Sequence, residues 1–342
     1  MHTLGSHLTF FFSTALAASF CFSKGGAAET NQMAGPATAF LHRVRRDAQV
    51  HDPSTIIQCK DQYWVFCTGR GIRSYYSTNL VDWEPGPRVF TNSLPWVAGV
   101  APGNPGNDFW APDVIRLGDR YLLYFAASRF GTNTSAIGLA TNPTLDPADP
   151  HYMWTDQGIV IQSTSADSFN TIDPAVFQDA DRSLWLAFGS YWSGIKLVQL
   201  DPASGKRIAP ESPLHSLAVA AEIEAPCLYR HGGYYYLFVN WGRCCRGIHS
   251  TYNIRVGRSD TITGPYRDKN GMDLLAGGGT LFLHTIDSFI GPGHAGIVTV
   301  SGTNWMSCHF YDATHQGVPS LALLPLNWDT NGWPELTLPP GS

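Results

Sequence analysis

FWAPDVIRLGDRYLLYFAAS, residues 109–128, is the stretch the rest of the chain copies. An acidic residue stands beside a proline, a short apolar strand follows, a Gly-Asp turn reverses it, and a second strand crowded with aromatics returns. The same plan appears at residues 52–68 (DPSTIIQCKDQYWVFCT), 173–190 (DPAVFQDADRSLWLAFGS) and 224–240 (EAPCLYRHGGYYYLFVN). A degraded copy runs over 291–311 (GPGHAGIVTVSGTNWMSCHFY), with a histidine in place of the acid. A second correspondence repeats independently: the apolar strands after the hairpins are followed by related turns, in SYYSTNLVDWE (74–84), SAIGLATNPTLDP (135–147) and YNIRVGRSDTITGPY (252–266).

The leading polar residues Asp52, Asp113, Asp173, Glu224 and His294 lie 61, 60, 51 and 70 positions apart. Hairpins at this period, with no helical stretches between them, predict an all-β fold, a five-bladed β-propeller with one four-stranded blade per repeat. The first strand of each blade then lines the central axis, and four acids and a histidine converge in one funnel. For any single copy, Asp-Pro is simply a turn former before a strand. That does not explain an ionisable group recurring at one point of the repeat.

The chain has 342 residues, 44% of them hydrophobic and 14% charged, enough to bury a large core. The repeats fill residues 29–342 as a single domain, expected as a monomer. With 22 basic and 27 acidic side chains the net charge is −5, without a Lys/Arg cluster, which disfavours nucleic acid or an anionic membrane as partner. Residues 8–22 (LTFFFSTALAASFCF) form an apolar run too short to span a bilayer comfortably, followed by small residues. This predicts a secretory signal over 1–28 and an extracellular protein, although the usual basic n-region is missing. Export permits disulfides among Cys59, Cys67, Cys227, Cys244, Cys245 and Cys308. None has zinc-site spacing, and the adjacent Cys244 and Cys245 could close only a small strained ring. The Gly/Pro/Asn-rich stretch 91–108 carries Trp96, suited either to stacking on a sugar or to plugging the space between blades. Asn133-Thr134-Ser135 is a glycosylation sequon.

Carboxylates brought together on a funnel wall raise one another's pKa. An enzyme that needs one carboxylic acid and one carboxylate at the same pH can use that cost, and glycoside hydrolysis has this need. Groups from different blades suit the wider separation of inverting enzymes, roughly 6.5–9.5 Å.

HDPS (51–54), WAPD (110–113), IDP (172–174), FGSYWSGI (188–195), IEAP (223–226), CCRG with STYNIRVGRS (244–259) and GPGH (291–294) together resemble the arabinanases of glycoside hydrolase family 43, in order and over nearly all the mature chain. The resemblance implies a five-bladed propeller that cleaves α-1,5-L-arabinofuranosidic bonds of arabinan, a pectin side chain, with inversion. It implies Asp52 as general base, Glu224 as general acid and Asp173 as the group that positions the acid and keeps it protonated. Glu222, two residues away and expected on the same strand face, is set aside only by the EAP match. Through GPGH it implies a calcium or sodium ion near His294, held largely through water, and no organic cofactor. Asp113 is expected to orient groups or fix its turn. Trp110, Phe130 and Trp192 are expected as stacking walls, with Ser190 and Tyr191 as hydrogen-bonding partners of the sugar. Alternatives are a family relative acting on another pentoside, an α-L-arabinofuranosidase or β-xylosidase, and a propeller that only binds carbohydrate. The WMNDP and RDP signatures of fructoside-cleaving propellers are not found.

Overall fold

The computed structural model describes residues 49–336, so the expected export signal at 1–28 lies outside the described residues. Each apolar hairpin of the repeat is an antiparallel strand pair, and each pair grows by two further strands into a meander. Blade 1 is Ile57–Cys59, Gln62–Cys67, Arg73–Ser77 and Glu84–Pro85. Blade 2 is Asp108–Leu117, Arg120–Ala127, Ser135–Asn142 and Thr155–Ser163, with a short fifth strand, Gly69–Arg70, pairing with its inner edge. Blade 3 is Ala175–Gln178, Leu184–Phe188, Ile195–Leu200 and His215–Ala218. Blade 4 is Ile223–His231, Tyr234–Trp241, Asn253–Ser259 and Thr280–Leu283. Blade 5 is Phe289–Val300, Thr303–Asp312, Val318–Trp328 and Pro334–Leu336. The result is the five-bladed propeller that the repeats predict.

A sheet that is apolar on both faces must bury both, and a ring of sheets does so by packing each blade on two neighbours. Among the described residues there are five apolar cores, one at each junction. Phe66 and Ile72 meet Phe109 and Phe125 between blades 1 and 2, and Tyr124 and Leu139 meet Leu186 and Phe188 between blades 2 and 3. Leu197 meets Leu237 between blades 3 and 4, and Phe238 meets Met306 between blades 4 and 5. Val65 and Trp83 meet Leu321 and Leu323 where blade 5 returns to blade 1. The first and last blades are each made of contiguous chain, so this seam is closed by packing and by side chains rather than by a shared sheet. Val50 N–H donates to the Pro319 carbonyl there at 3.2 Å.

At the axis the structure corrects the repeat alignment. The equivalent residues are Asp52, Ala111, Asp173, Ala225 and His294, each with a positive φ of 45–61°. Each precedes a residue lining the axial cavity: Pro53, Pro112, Pro174, Pro226 and, in blade 5, Ala295. In blades 2, 4 and 5 the strand pairing slips at this point, the mark of a β-bulge. Asp52, Asp173 and His294 therefore share one position, while Glu224 stands one residue before it and Asp113 two after. Side-chain type alone concealed this offset. Left-handed conformations at non-glycine residues cost about 1–3 kcal/mol each and gather at functional sites.

The offset gives Asp113 a different job from the other acids. Its Oδ1 accepts from Thr55 N–H of blade 1 at 3.0 Å and its Oδ2 from Val176 N–H of blade 3 at 2.8 Å. One carboxylate thus ties three blades together at the axis. Burial raises its pKa to about 6 against those hydrogen bonds. Asp113→Ala leaves two buried N–H groups without an acceptor and should cost roughly 3 kcal/mol. A guanidinium titration should show the midpoint falling with little change in slope; an unmoved midpoint would sink the assignment.

Candidate active site

Positive-φ turns at Asp52 and Asp173, and the bulge that begins at Glu224, turn three side chains toward one pit at one end of the axis. Asp52 enters it at the seam between blades 1 and 5. Its Oδ2 accepts from the Thr68 hydroxyl at 2.6 Å and pairs with His51 Nδ1 at 2.9 Å. Its Oδ1 faces His294 Nδ1 and His309 Nδ1, each at 3.6 Å, which is beyond hydrogen-bonding distance. The Asp52 backbone N–H donates to His309 Nδ1 at 3.1 Å, so His309 carries its proton on Nε2 and is neutral. Burial opposes the charge of Asp52, but the ion pair and hydrogen bond with His51 hold its pKa below the usual carboxylate range. His51 is driven the other way. Burial lowers its pKa, yet the ion pair with Asp52 outweighs it and the imidazole rises to about 10. Its Nε2 meets the Tyr311 hydroxyl at 2.8 Å, and its ring stacks on His309 with centroids 4.2 Å apart.

Glu224 enters from blade 4 and is 7% exposed. Ser190 Oγ donates to its Oε2 at 2.6 Å, and the Tyr252 hydroxyl donates to its Oε1. Burial pushes its pKa up to about 7, opposed by Ser190 and reinforced by the negative charge of Asp52. Asp173, from blade 3, is also buried, and its Oδ2 accepts from Ala225 N–H, next to Glu224, at 3.2 Å. Burial first, then Glu224 and Asp52, raise its pKa well above normal. The pit therefore holds one firmly ionised carboxylate and two that resist ionisation.

Other expected residues fall into place around these. Ser190 binds the acid directly, although the sequence assigned it to the sugar. Tyr191 and Trp192 follow on a loop with positive φ at both residues, and Tyr191 N–H donates to the Ile223 carbonyl at 2.6 Å. Trp192 is 44% exposed and Phe130 79%, while Trp110 is half-buried with its indole N–H on Asp108. No contact joins Phe130 to the three acids among the described residues. Glu222 is separated from Glu224 by structure, since it precedes the strand and pairs with Arg243 at the surface. Trp96 is a plug, packed on Phe125 and hydrogen-bonded to Asp156. The Asn133 amide is buried and donates to the carbonyls of Asp167 and Phe169, so the folded sequon is closed to a glycan. His51, His309, Tyr311, Thr68 and Tyr252 were missed, though His51 and Tyr252 lie inside quoted motifs.

The expectation of disulfides is corrected, because all six described cysteines are free. Cys59, Cys67, Cys227 and Cys308 sit in the interior, and burial raises the thiol of Cys67 to about 11 and that of Cys308 to about 12. Cys245 is exposed at the rim, 3.8 Å from His51 Nε2, and the Cys244 thiol and His51 lower its pKa to about 5 against burial. A thiol reagent at pH 6 should label Cys245 in the folded protein well before the four interior thiols. Peptide mapping checks this, and equal labelling of Cys67 or Cys308 would refute it.

A profile of glycosyl hydrolases family 43 matches residues 47–334. An extracellular endo-alpha-(1->5)-L-arabinanase of Bacillus subtilis is 40% identical over 332 residues, covering 95% of this chain and 96% of that protein. An extracellular exo-alpha-(1->5)-L-arabinofuranosidase of Cellvibrio japonicus is 40% identical over 305 residues, covering 85% and 87%. The solved structure of a Cellvibrio cellulosa alpha-L-arabinanase superposes with a TM-score of 0.81 at 40% identity, over 85% of this chain and 96% of that one. A related structure holds arabinohexaose, with a TM-score of 0.81 at 39% identity over 85% and 96% of the two chains. Sequence, fold and the paired acids agree: this chain is a glycoside hydrolase and belongs to family 43.

Proposed function

We propose that this enzyme hydrolyses the α-1,5-linked L-arabinofuranosyl chain of arabinan outside the cell, with inversion at the anomeric carbon. The observation that carries the reading is the opposite surroundings of two carboxyl groups in one pit: Asp52 paired with the His51 imidazole, which favours its charge, and Glu224 buried, which raises its pKa to about 7. Relatives named for endo and exo action on α-(1→5)-L-arabinan supply the sugar and linkage, and two of those names are "extracellular". Among the described residues no helix is long and apolar enough to cross a membrane.

The geometry divides the work as follows. Glu224 gives its proton to the departing glycosidic oxygen. Asp52 takes a proton from the attacking water on Oδ1, because Oδ2 is already occupied by Thr68 and His51. Asp173 braces the backbone beside Glu224 through Ala225 N–H, while burial and the charge of Asp52 keep Glu224 protonated. Trp192, Phe130 and Trp110 supply walls for the furanose rings, and Tyr191 a hydrogen-bonding hydroxyl beside them. His294 lines the axial cavity below, and among the described residues its Nε2 makes no hydrogen bond. Calcium takes about six to eight oxygens, and both oxygens of the one axial carboxylate, Asp113, are already engaged, so these residues fit a hydrated calcium or sodium ion anchored by His294 alone. When bound, such an ion would add positive charge beneath the acids.

Glu224→Ala and Asp52→Ala should each lower arabinan hydrolysis by roughly a thousandfold or more while leaving the melting temperature close to that of the parent. Full activity in either variant would show the roles misassigned. As Glu224 loses its proton, wild-type kcat/KM should fall as pH rises through about 7. Proton NMR of the first-formed product should show the anomer opposite to the substrate's; the same anomer would exclude inversion. Chromatography of products from linear arabinan separates endo from exo action.

A further inference from the structure

Glu224 has two oxygens and both are taken before any substrate arrives, one by Ser190 and one by Tyr252. The Tyr252 side is the more elaborately built. Tyr252 is 3% exposed and lies between the short helical turn Gly247–His249 and the strand Asn253–Ser259. Its ring lies against Gly293, where a Cβ would come within 2.4 Å of Tyr252 Cδ2. On another side it faces the His309 ring, centroids 6.0 Å apart. Gly293 precedes His294 in the inner strand of blade 5, so a blade-5 backbone without a side chain makes room for a ring whose hydroxyl serves an acid on blade 4.

We infer that Tyr252 is the positioning residue of the general acid: its hydroxyl, held by Gly293 and His309, donates to Glu224 Oε1 and fixes the orientation from which the acid protonates the leaving oxygen. The inference rests on the assignment of Glu224 as that acid. Packing across blades 4 and 5 is thereby linked to the proton-transfer step. A hydrogen bond donated to a carboxylate favours its charged form, so Tyr252 also keeps Glu224 from becoming too weak an acid. The other titratable groups facing Glu224 are His51 and Asp52 from blade 1, Asp173 and Tyr191 from blade 3, and Cys244 and Cys245 from the loop after the second strand of blade 4. None of them donates to Oε1.

The test is Tyr252→Phe, which keeps the ring on Gly293 and removes only the hydroxyl. With the donor gone, the alkaline limb of the kcat/KM–pH profile should move upward by about one pH unit. Turnover of arabinan should fall roughly tenfold. Hydrolysis of 4-nitrophenyl α-L-arabinofuranoside, whose leaving group needs little protonation, should fall much less. A general structural defect would lower both substrates alike and leave the limb where it is; that result, or a downward shift, overturns the inference. Should the variant fold poorly by thermal unfolding, Gly293→Ala, which crowds the same ring, provides the second reading with the same expected limb and substrate split. Glu224→Ala separates the two levels of the argument. If it stays active, the acid assignment fails; if it is dead while Tyr252→Phe shows no shift, only the role of Tyr252 fails.

Discussion

Closing five sheets into a ring brings five backbones to one narrow axis, and the rest of the structure follows from how they are accommodated there. Each inner strand turns at a residue of positive φ followed by a small or ring-locked residue, proline in four blades and Ala295 in the fifth. The turn keeps the axis lined by compact side chains and directs the positive-φ residue itself, or in blade 4 the residue before it, into the pit. Residues before proline avoid the right-handed helical region, so the conformation is set by sequence and ring together. The local strain is offset by the five apolar junctions outside it. Asp113 completes the arrangement by accepting from blades 1 and 3 at once, so one charge serves as the hub of the ring.

The pit works by asymmetry of surroundings rather than of residue type. Asp52 and Asp173 occupy equivalent positions of the repeat, yet three histidines surround Asp52, while Asp173 faces Glu224 and a single backbone N–H. Burial acts against ionisation in both cases. At Asp52 the neighbouring imidazoles win; at Asp173 the neighbouring carboxylates add to the penalty. The ionised Asp52 and the carboxyls that resist ionisation are thus separated by what the adjoining blades present. The seam between blades 1 and 5 contributes most, because His51 and Asp52 come from one side and His294, His309 and Tyr311 from the other. Closing the ring and ionising Asp52 are one event.

The fold was legible because hairpins and their turns are local: a strand of six residues needs only its own alternation and a following turn to declare itself. The three acids were legible for the same reason, as each sits at a turn marked by proline. Their alignment was not. Glu224 and Asp113 were placed in register with Asp52 by chemical type, whereas the backbone registers on the residue before proline, which in those blades is the chemically silent Ala225 and Ala111. His309 and Tyr252 carried no signal of their own. His309 lies on the second strand of blade 5 and Tyr252 just before the third strand of blade 4, and their partners are 257 and 28 residues away in sequence, for Asp52 and Glu224 respectively. Ser190 was visible in its motif, but its partner across the blade junction was not.

Sequence by itself determined the number of blades and the strand order within them, since these depend on neighbours a few residues apart. Tertiary structure alone decided which carboxyl is ionised, which hydroxyls hold Glu224, that the described cysteines stay unpaired and that Trp96 and the Asn133 sequon face inward. Each of those outcomes is a balance between burial and a partner on another blade. A chain cannot express such a balance until the ring has brought the two together.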